Sequence, residues 1–398
     1  MTDPAALLDD RMDKLLSKAD PATVPQEEFR ALQYDLGLAW VHFPEGRGGL
    51  GIVPSLQRRV DERLHAAGAK SAGSRHFFGL AMAGPVVVTH GSESLKDRFL
   101  RRMFTGEDAW CQLFSEPGAG SDLAGLACRA VRDGDEWVVT GQKVWNTLAH
   151  TADRGMLVAR TDPDAPKHKG LTYFGLNMHA PGVEVRPLRQ ITGEAEFNEV
   201  YLTEVRVPDS DRIGEVGEGW RVAMTTLMNE RTTIGGGGGA PERGTGPIAE
   251  AIRVWHDGNG AGRDAATKDL LIRLWIEAEA LRLTNIRASH NRKAGNPGPE
   301  GSIAKLMFAE VNKRIYELCV NMLGPAGMVG YDFEMKRAES LGLVGSSGAS
   351  RKMFLRSRAN SIEGGTSEIQ RNILGERVLG LAGDIRVDKD LPWSKVPR

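Results

Sequence analysis

The stretch Cys111-Gln112-Leu113-Phe114-Ser115-Glu116-Pro117-Gly118-Ala119-Gly120-Ser121-Asp122 concentrates hydroxyls, small residues and backbone amides in one place. Gly118-Ala119-Gly120 hints weakly at a phosphate loop, but a dinucleotide fingerprint would open a helix inside a βαβ unit. The segments that follow, through Trp145, read as strands, so that context fails. Glycine and alanine beside backbone amides still let a flat cofactor approach closely. On residue type alone, Glu230-Arg231 reads as an exposed helical pair. The nine histidines form no HExxH or Cys/His cluster, which gives a metal site no support.

Elements must position these residues, and 398 residues exceed what one core usually organises. Residues 1–107 are mostly helix-like, with turns at 44–51 and 90–94 and a short helix opening at Ser94. From about 108 to 218 short apolar runs alternate with Gly, Pro and Asp. Asp133-Gly134 ahead of Trp137–Thr140 signals a hairpin, and further strands are expected at 156–159, 171–176, 183–185 and 197–207. The texture suggests an antiparallel sheet or small barrel. Over 219–398 helical spacing returns. Leu271, Leu274, Trp275, Ala278 and Leu281 form one stripe; Ile303, Leu306, Met307, Val311, Ile315, Leu318, Cys319 and Met322 form another. Such faces need partners, so a helical bundle is expected. Five consecutive glycines, Gly235–Gly239, cost a helix roughly 1 kcal/mol each and read as a loop. The polar stretch 384–398 reads as draped on the surface.

Composition narrows the function. Fifty-one Lys and Arg against 52 Asp and Glu leave a net charge of −1, which supports neither a nucleic-acid nor a membrane-surface partner. No run approaches the about 18 apolar residues a membrane span needs. The N-terminal residues carry no apolar signal core. Cys111, Cys128 and Cys319 are scattered and odd in number, so they read as reduced thiols of a cytoplasmic protein.

Four segments in register carry a family resemblance. Ser115–Asp122 resembles the TEPxxGSD signature of the acyl-CoA dehydrogenase family, with serine for threonine. Gly141–Thr147 resembles its GxKxWIT strand, and Gly365–Arg371 its GTSEIQR element. Val205–Pro208 with Gly214–Gly219 resembles the end of its β domain. The resemblance implies an α+β fold: an N-terminal helical domain, a central antiparallel β domain and a C-terminal four-helix bundle. It implies FAD, an acyl-CoA substrate oxidised between its α and β carbons, and an electron-transferring flavoprotein as acceptor. By the same resemblance, Phe114, Ser115, Gly120, Ser121, Trp145 and Thr147 line the flavin, and Ser121 also meets the CoA part of the substrate. Thr366 and Glu368 lie where the family contacts FAD at a helix start, although both also suit helix capping.

Many members place the base immediately before GTS, and here that position is Gly364. Glu230 matches the position used by isovaleryl- and long-chain-type members. The resemblance therefore implies Glu230 as base, with Arg231 as supporting charge, Gly364 supplying an amide, and Glu363 as the alternative. The family's RxxFG is absent, leaving Arg263 as a substitute cofactor contact. Asn321 and Gly324 fall at its other cross-subunit contact, from which Pro325 departs. These departures resemble an actinobacterial branch acting on bulky or steroid side-chain thioesters. A homodimer or homotetramer is implied, with a heterotetramer of two different subunits as the alternative. Two other readings are a non-catalytic subunit that completes a partner's FAD site, and an oxygen-using relative that releases peroxide.

Overall fold

The computed structural model describes residues 3–70, 76–234, 242–258, 263–293, 298–330, 334–339, 350–383, 385 and 388–397. The pentaglycine tract lies outside them.

The first part is helical: α1 (Pro4–Lys18), α2 (Gln26–Asp35), α3 (Gln57–Ala66), α4 (Gly84–His90) and α5 (Glu93–Thr105), with a π-helical turn at Gly79–Ala83. Ser92, not Ser94, caps α5, its hydroxyl accepting from Leu95 N–H at 3.3 Å. The Gly106 backbone at φ 96° ends that helix in the left-handed region. Leu95, Phe99, Leu100 and Met103 bury one face of α5, and Phe99 meets Trp110 edge-on at 5.3 Å. A cavity of about 710 Å³ in this part is lined by Phe29, Arg30, Trp40, His42, Asp61 and Leu80, among others.

Seven strands follow: β1 (Trp110–Leu113), β2 (Arg129–Asp133), β3 (Glu136–Lys143), β4 (Arg154–Arg160), β5 (Leu171–Asn177), β6 (Val183–Pro187) and β7 (Asn198–Pro208). The β2–β3 hairpin turns at Gly134, as its Asp-Gly pair predicts. The β3–β7, β6–β7 and β4–β5 pairs are antiparallel. β1 instead runs parallel to β4, Trp110 opposite Arg154, so the sheet is mixed. Gly141 sits at a bulge between β3 and β7, where a Cβ would stand 2.7 Å from the Cys128 Cα; only glycine fits without a shift. One sheet face packs on the N-terminal helices through Trp110, Met156, Val158 and Tyr173. The other holds Cys111, Leu113, Trp137, Phe174, Val200 and Leu202.

The last part contains α6 (Gly219–Ile234), α7 (Pro247–Asp257), α8 (Ala265–Lys293) and α9 (Glu300–Leu323), then α10 (Ser350–Arg356) and α11 (Ser367–Ile373). The α8 stripe buries Leu271 and Leu274, and α9 buries Val311, Ile315, Leu318, Cys319 and Met322. The first turns of the α9 stripe, Ile303 to Met307, are only half-buried. α6 packs differently: Val222 and Ala223 enter the core shared with the N-terminal helices and the sheet.

All three cysteines are buried and free. Burial pushes the Cys128 thiol up to about 11 and Cys319 up to about 12, and Cys111 is raised as well. A thiol reagent at pH 8 is therefore expected to label none in the native protein and all three in denaturant. Fast native labelling would contradict this packing.

Candidate active site

The loop after β1 is fixed by a buried charge pair. Lys143, fully buried at the end of β3, donates to Glu116 Oε1 at 2.8 Å and to the carbonyls of Phe114 (3.0 Å) and Val158 (2.8 Å). Glu116 also accepts from the amides of Ala127 (2.7 Å) and Cys128 (2.9 Å). Buried charges persist when paired and hydrogen-bonded, and both conditions hold here. Phe114 is buried against Tyr173, with ring centroids 5.9 Å apart. The Ser115 carbonyl accepts from Val144 N–H at 2.9 Å, which ties the loop to the segment entering Trp145. Beyond this anchor Gly120 and Ser121 are exposed, and a Cβ on Gly118 or Gly120 would meet nothing within 4 Å.

Trp145 presents its ring to solvent, 58% exposed, on a backbone at φ 61°. A left-handed tryptophan is uncommon and marks a locally constrained position. Asn146 supplies the constraint: it exchanges backbone hydrogen bonds with Asn198, both at 3.0 Å, and its Nδ2 donates to Gln112 O at 2.8 Å. The Trp145 ring meets Phe197 edge-on at 5.8 Å. Thr147 is half-buried alongside.

Phe197 links this wall to the helical part. The Arg356 guanidinium lies 5.8 Å from its ring and pairs with Glu363 through two bonds of 3.0 and 2.9 Å. Its Nε also stands 3.3 Å from the buried Glu196. Burial alone would lower the Arg356 pKa, but the two carboxylates raise it. Glu363 accepts a further bond from Asn360 Nδ2 at 2.8 Å. Next come Gly364 (φ 63°) and Gly365 (φ 90°), a turn that side chains rarely adopt. Lys305 holds it by donating to Gly365 O (2.5 Å) and Asn360 O (2.9 Å). Burial lowers the Lys305 pKa, and Glu363, Glu310, Glu230 and Glu368 oppose that shift.

Glu230, half-buried on α6, faces this turn: its Oε1 lies 3.8 Å from where a Gly364 Cβ would stand. Thr366 caps α11, accepting from Ile369 N–H at 3.2 Å, and Glu368 forms an exposed pair with Arg371. A chain of contacts thus runs from Ser115 through Val144, Trp145, Phe197, Arg356 and Glu363 to Gly364 and Glu230. The Arg231 side chain lies outside the described residues. Arg263 is not drawn into this cluster: it bonds the His256 carbonyl and leans on Trp255 at 6.0 Å. Asn321 is exposed, and Gly324 (φ 56°) ends α9.

Two buried acceptors, Asn146 Oδ1 and Gln370 Oε1, have no hydrogen-bond partner among the described residues. With an exposed indole, an open glycine turn and nearby hydroxyls, they suit a large flat ligand that carries hydrogen-bond donors. FAD fits that description. Sequence reasoning missed Lys143, Glu116, Arg356 and Lys305. The available signal was positional: Glu116 and Lys143 fall inside two of the recognised motifs, whereas Arg356 and Lys305 fall in none.

The order of helices, sheet and helices is the three-domain fold of the acyl-CoA dehydrogenases. The chain matches the N-terminal domain of that family over residues 5–107, the middle domain over 111–205 and the C-terminal domain over 217–379. It belongs to the acyl-CoA dehydrogenase family, whose members are FAD-dependent oxidoreductases. It is 39% identical over 368 residues to acyl-CoA dehydrogenase FadE34 of Mycobacterium tuberculosis, covering 91% of this chain but only 47% of that protein. The chain thus spans about half the length of that relative. It is 37% identical to acyl-CoA dehydrogenase IpdE1 of the same organism, covering 89% and 88% of the two chains. Among solved structures, the Tcur3481-Tcur3483 steroid ACAD aligns at 26% identity and a TM-score of 0.69, over 96% of this chain and 99% of that one. The ChsE4-ChsE5 complex from Mycobacterium tuberculosis aligns at 26% and 0.67 over the same shares. Among the described residues, no helix is long and apolar enough to cross a membrane.

Proposed function

We propose that this chain catalyses the α,β-dehydrogenation of an acyl-CoA thioester to the trans-2-enoyl-CoA, with Glu230 as the base. The observation that carries the reading is the carboxylate of Glu230 beside the Gly364-Gly365 turn. Glu363, the alternative, is already committed to Arg356 and Asn360. Glu230 takes the α-proton, and the Gly364 amide donates to the thioester oxygen as enolate character develops. When bound, FAD supplies the two-electron acceptor for the hydrogen leaving the β-carbon. Phe114, Ser115, Gly120, Ser121, Trp145, Thr147, Thr366 and Glu368 hold that cofactor, Trp145 offering a flat apolar face. Ser121 also meets the CoA part of the substrate, and an electron-transferring flavoprotein collects the electrons. The steroid ACAD among the structural relatives makes a bulky acyl group the first substrate to try.

The direct test is an absorbance spectrum of the purified protein, followed by anaerobic addition of short-chain and steroid side-chain acyl-CoAs. Bleaching of the flavin band by one of them is expected; a flavin that none of them reduces would count against the reading. Peroxide release without an added acceptor would point to the oxygen-using alternative.

A second reading concerns assembly. Ile272, Ile276 and Leu283 share one uncovered face of α8, and Arg263 is turned back on its own chain. The apolar face favours a second chain against the bundle, either another copy or a different subunit; the inward turn of Arg263 leaves the cross-subunit cofactor contact to that different subunit. Native mass measurement of the protein expressed alone separates these: a homo-oligomer with full flavin content argues against the need for a different subunit.

A further inference from the structure

We infer that segment 388–397 is a strap that positions the loop carrying Ser121, and that Trp393 and Asp388 are positioning residues for the coenzyme A part of the substrate. The inference rests on the reading above in which Ser121 meets that part. The segment lies beyond the family's C-terminal domain, whose match ends at residue 379.

The strap is pinned where two loops meet. Arg160, buried at the end of β4, donates to Ala124 O (2.6 Å) and Leu126 O (3.1 Å) on the Ser121 side, and to Lys167 O (3.2 Å) on the other. The Trp393 ring covers that guanidinium at 4.4 Å, while its Nε1 donates to Gly125 O at 3.1 Å. A guanidinium closed off from water by an indole face is a strong form of cation–π contact. The backbone follows: Trp393 N–H donates to Ala165 O (3.0 Å) and Ser394 N–H to Pro163 O (2.9 Å). Lys167 completes the clamp. Its ammonium lies between Asp122 (2.9 Å), the neighbour of Ser121, and Asp388 (2.7 Å) of the strap. Burial alone would lower the Lys167 pKa, but the carboxylates of Asp388 and Asp122 raise it.

Ser121 and Asp122 are themselves exposed, so their placement depends on what stands behind them. An exposed loop that must be ordered at binding costs affinity, and a strap that orders it beforehand removes that cost. The strap's contacts named above go to Asp122's partner Lys167, to Gly125, to Arg160 and to the 163–165 loop. Its loss therefore acts first on the coenzyme A contact of Ser121, while Phe114, Ser115, Trp145 and Thr366, on other anchors, keep the flavin in place.

The test uses the flavin-loaded protein and free coenzyme A, with binding measured by calorimetry. Trp393→Ala, Asp388→Asn and removal of residues 388–398 are compared with the intact chain. Trp393→Ala and the removal are expected to weaken coenzyme A binding roughly tenfold. KM for acyl-CoA should rise in parallel, with kcat and the flavin spectrum unchanged. Trp393→Phe, which keeps the stacked ring and loses the donor, is expected to fall between. Unchanged coenzyme A affinity in both Trp393→Ala and the shortened chain overturns the inference. Loss of flavin along with the strap also overturns it, by making the segment a general structural support. An intact holoenzyme that binds no coenzyme A sinks the functional reading itself, a result distinct from either.

Discussion

The Glu230→Gln holoenzyme is expected to keep its flavin and lose acyl-CoA oxidation by ~10²–10⁴-fold, the usual contribution of a positioned base. Glutamine preserves the shape of the side chain and removes only its capacity to accept a proton. The half-buried setting on α6 and the open glycine turn opposite leave room for either side chain. The loss is expected in kcat and in the anaerobic rate of flavin bleaching, with little change in substrate affinity. Glu363→Gln is the matched control, with a different expected result. That carboxylate meets Arg356 through two bonds and Asn360 through a third, so its loss weakens the seam between α10 and the segment holding Glu196. Lower stability with turnover largely kept in the folded enzyme is expected. If the two variants exchange phenotypes, the base is Glu363 and the assignment made here is wrong.

Much of the fold is legible because it rests on local signals. Short apolar runs locate β4 to β7 to within about two residues at each end, and the Asp-Gly pair places the β2–β3 turn, since turn chemistry and short apolar runs are properties of local sequence. The parallel β1–β4 pair is not legible, because nothing in Trp110–Leu113 states which distant strand it will join. Likewise Ser92 and Ser94 are equivalent on paper, and only the chain path into α5 selects the first as its cap. The site divides the same way. Ser115, Trp145 and Thr366 fall in recognisable motifs, whereas Arg356 and Lys305 act on carbonyls and carboxylates supplied from elsewhere in the fold. Residues 384–398 read as a polar drape, yet Trp393 and Asp388 dock by specific contacts on residues more than 200 positions away. Reach across the sequence, not residue type, sets what can be read.

The Glu116–Lys143 pair illustrates this limit and yields the second large effect. Separated by 27 positions, the two form a hub in which one carboxylate serves three donors: the Ala127 and Cys128 amides and the Lys143 ammonium. Glu116→Ala leaves the buried Lys143 ammonium without its counter-charge and removes the acceptor of the Ala127 and Cys128 amides, and is expected to cost about 3–5 kcal/mol, the range for breaking a buried pair. Lys143→Met is expected to cost less, about 1–3 kcal/mol, because Glu116 keeps its two amides and the main loss is at the Phe114 and Val158 carbonyls. The double variant should sit nearer Lys143→Met than the sum of the two, since no buried ammonium is left unpaired. Urea unfolding of the three variants measures the order. Flavin retention reports whether the loop from Phe114 to Ser121 survives, and Glu116→Ala is expected to release the cofactor first. Were Lys143→Met the more damaging single change, the lysine's carbonyl bonds would be the anchor of the loop, and the carboxylate hub would be secondary.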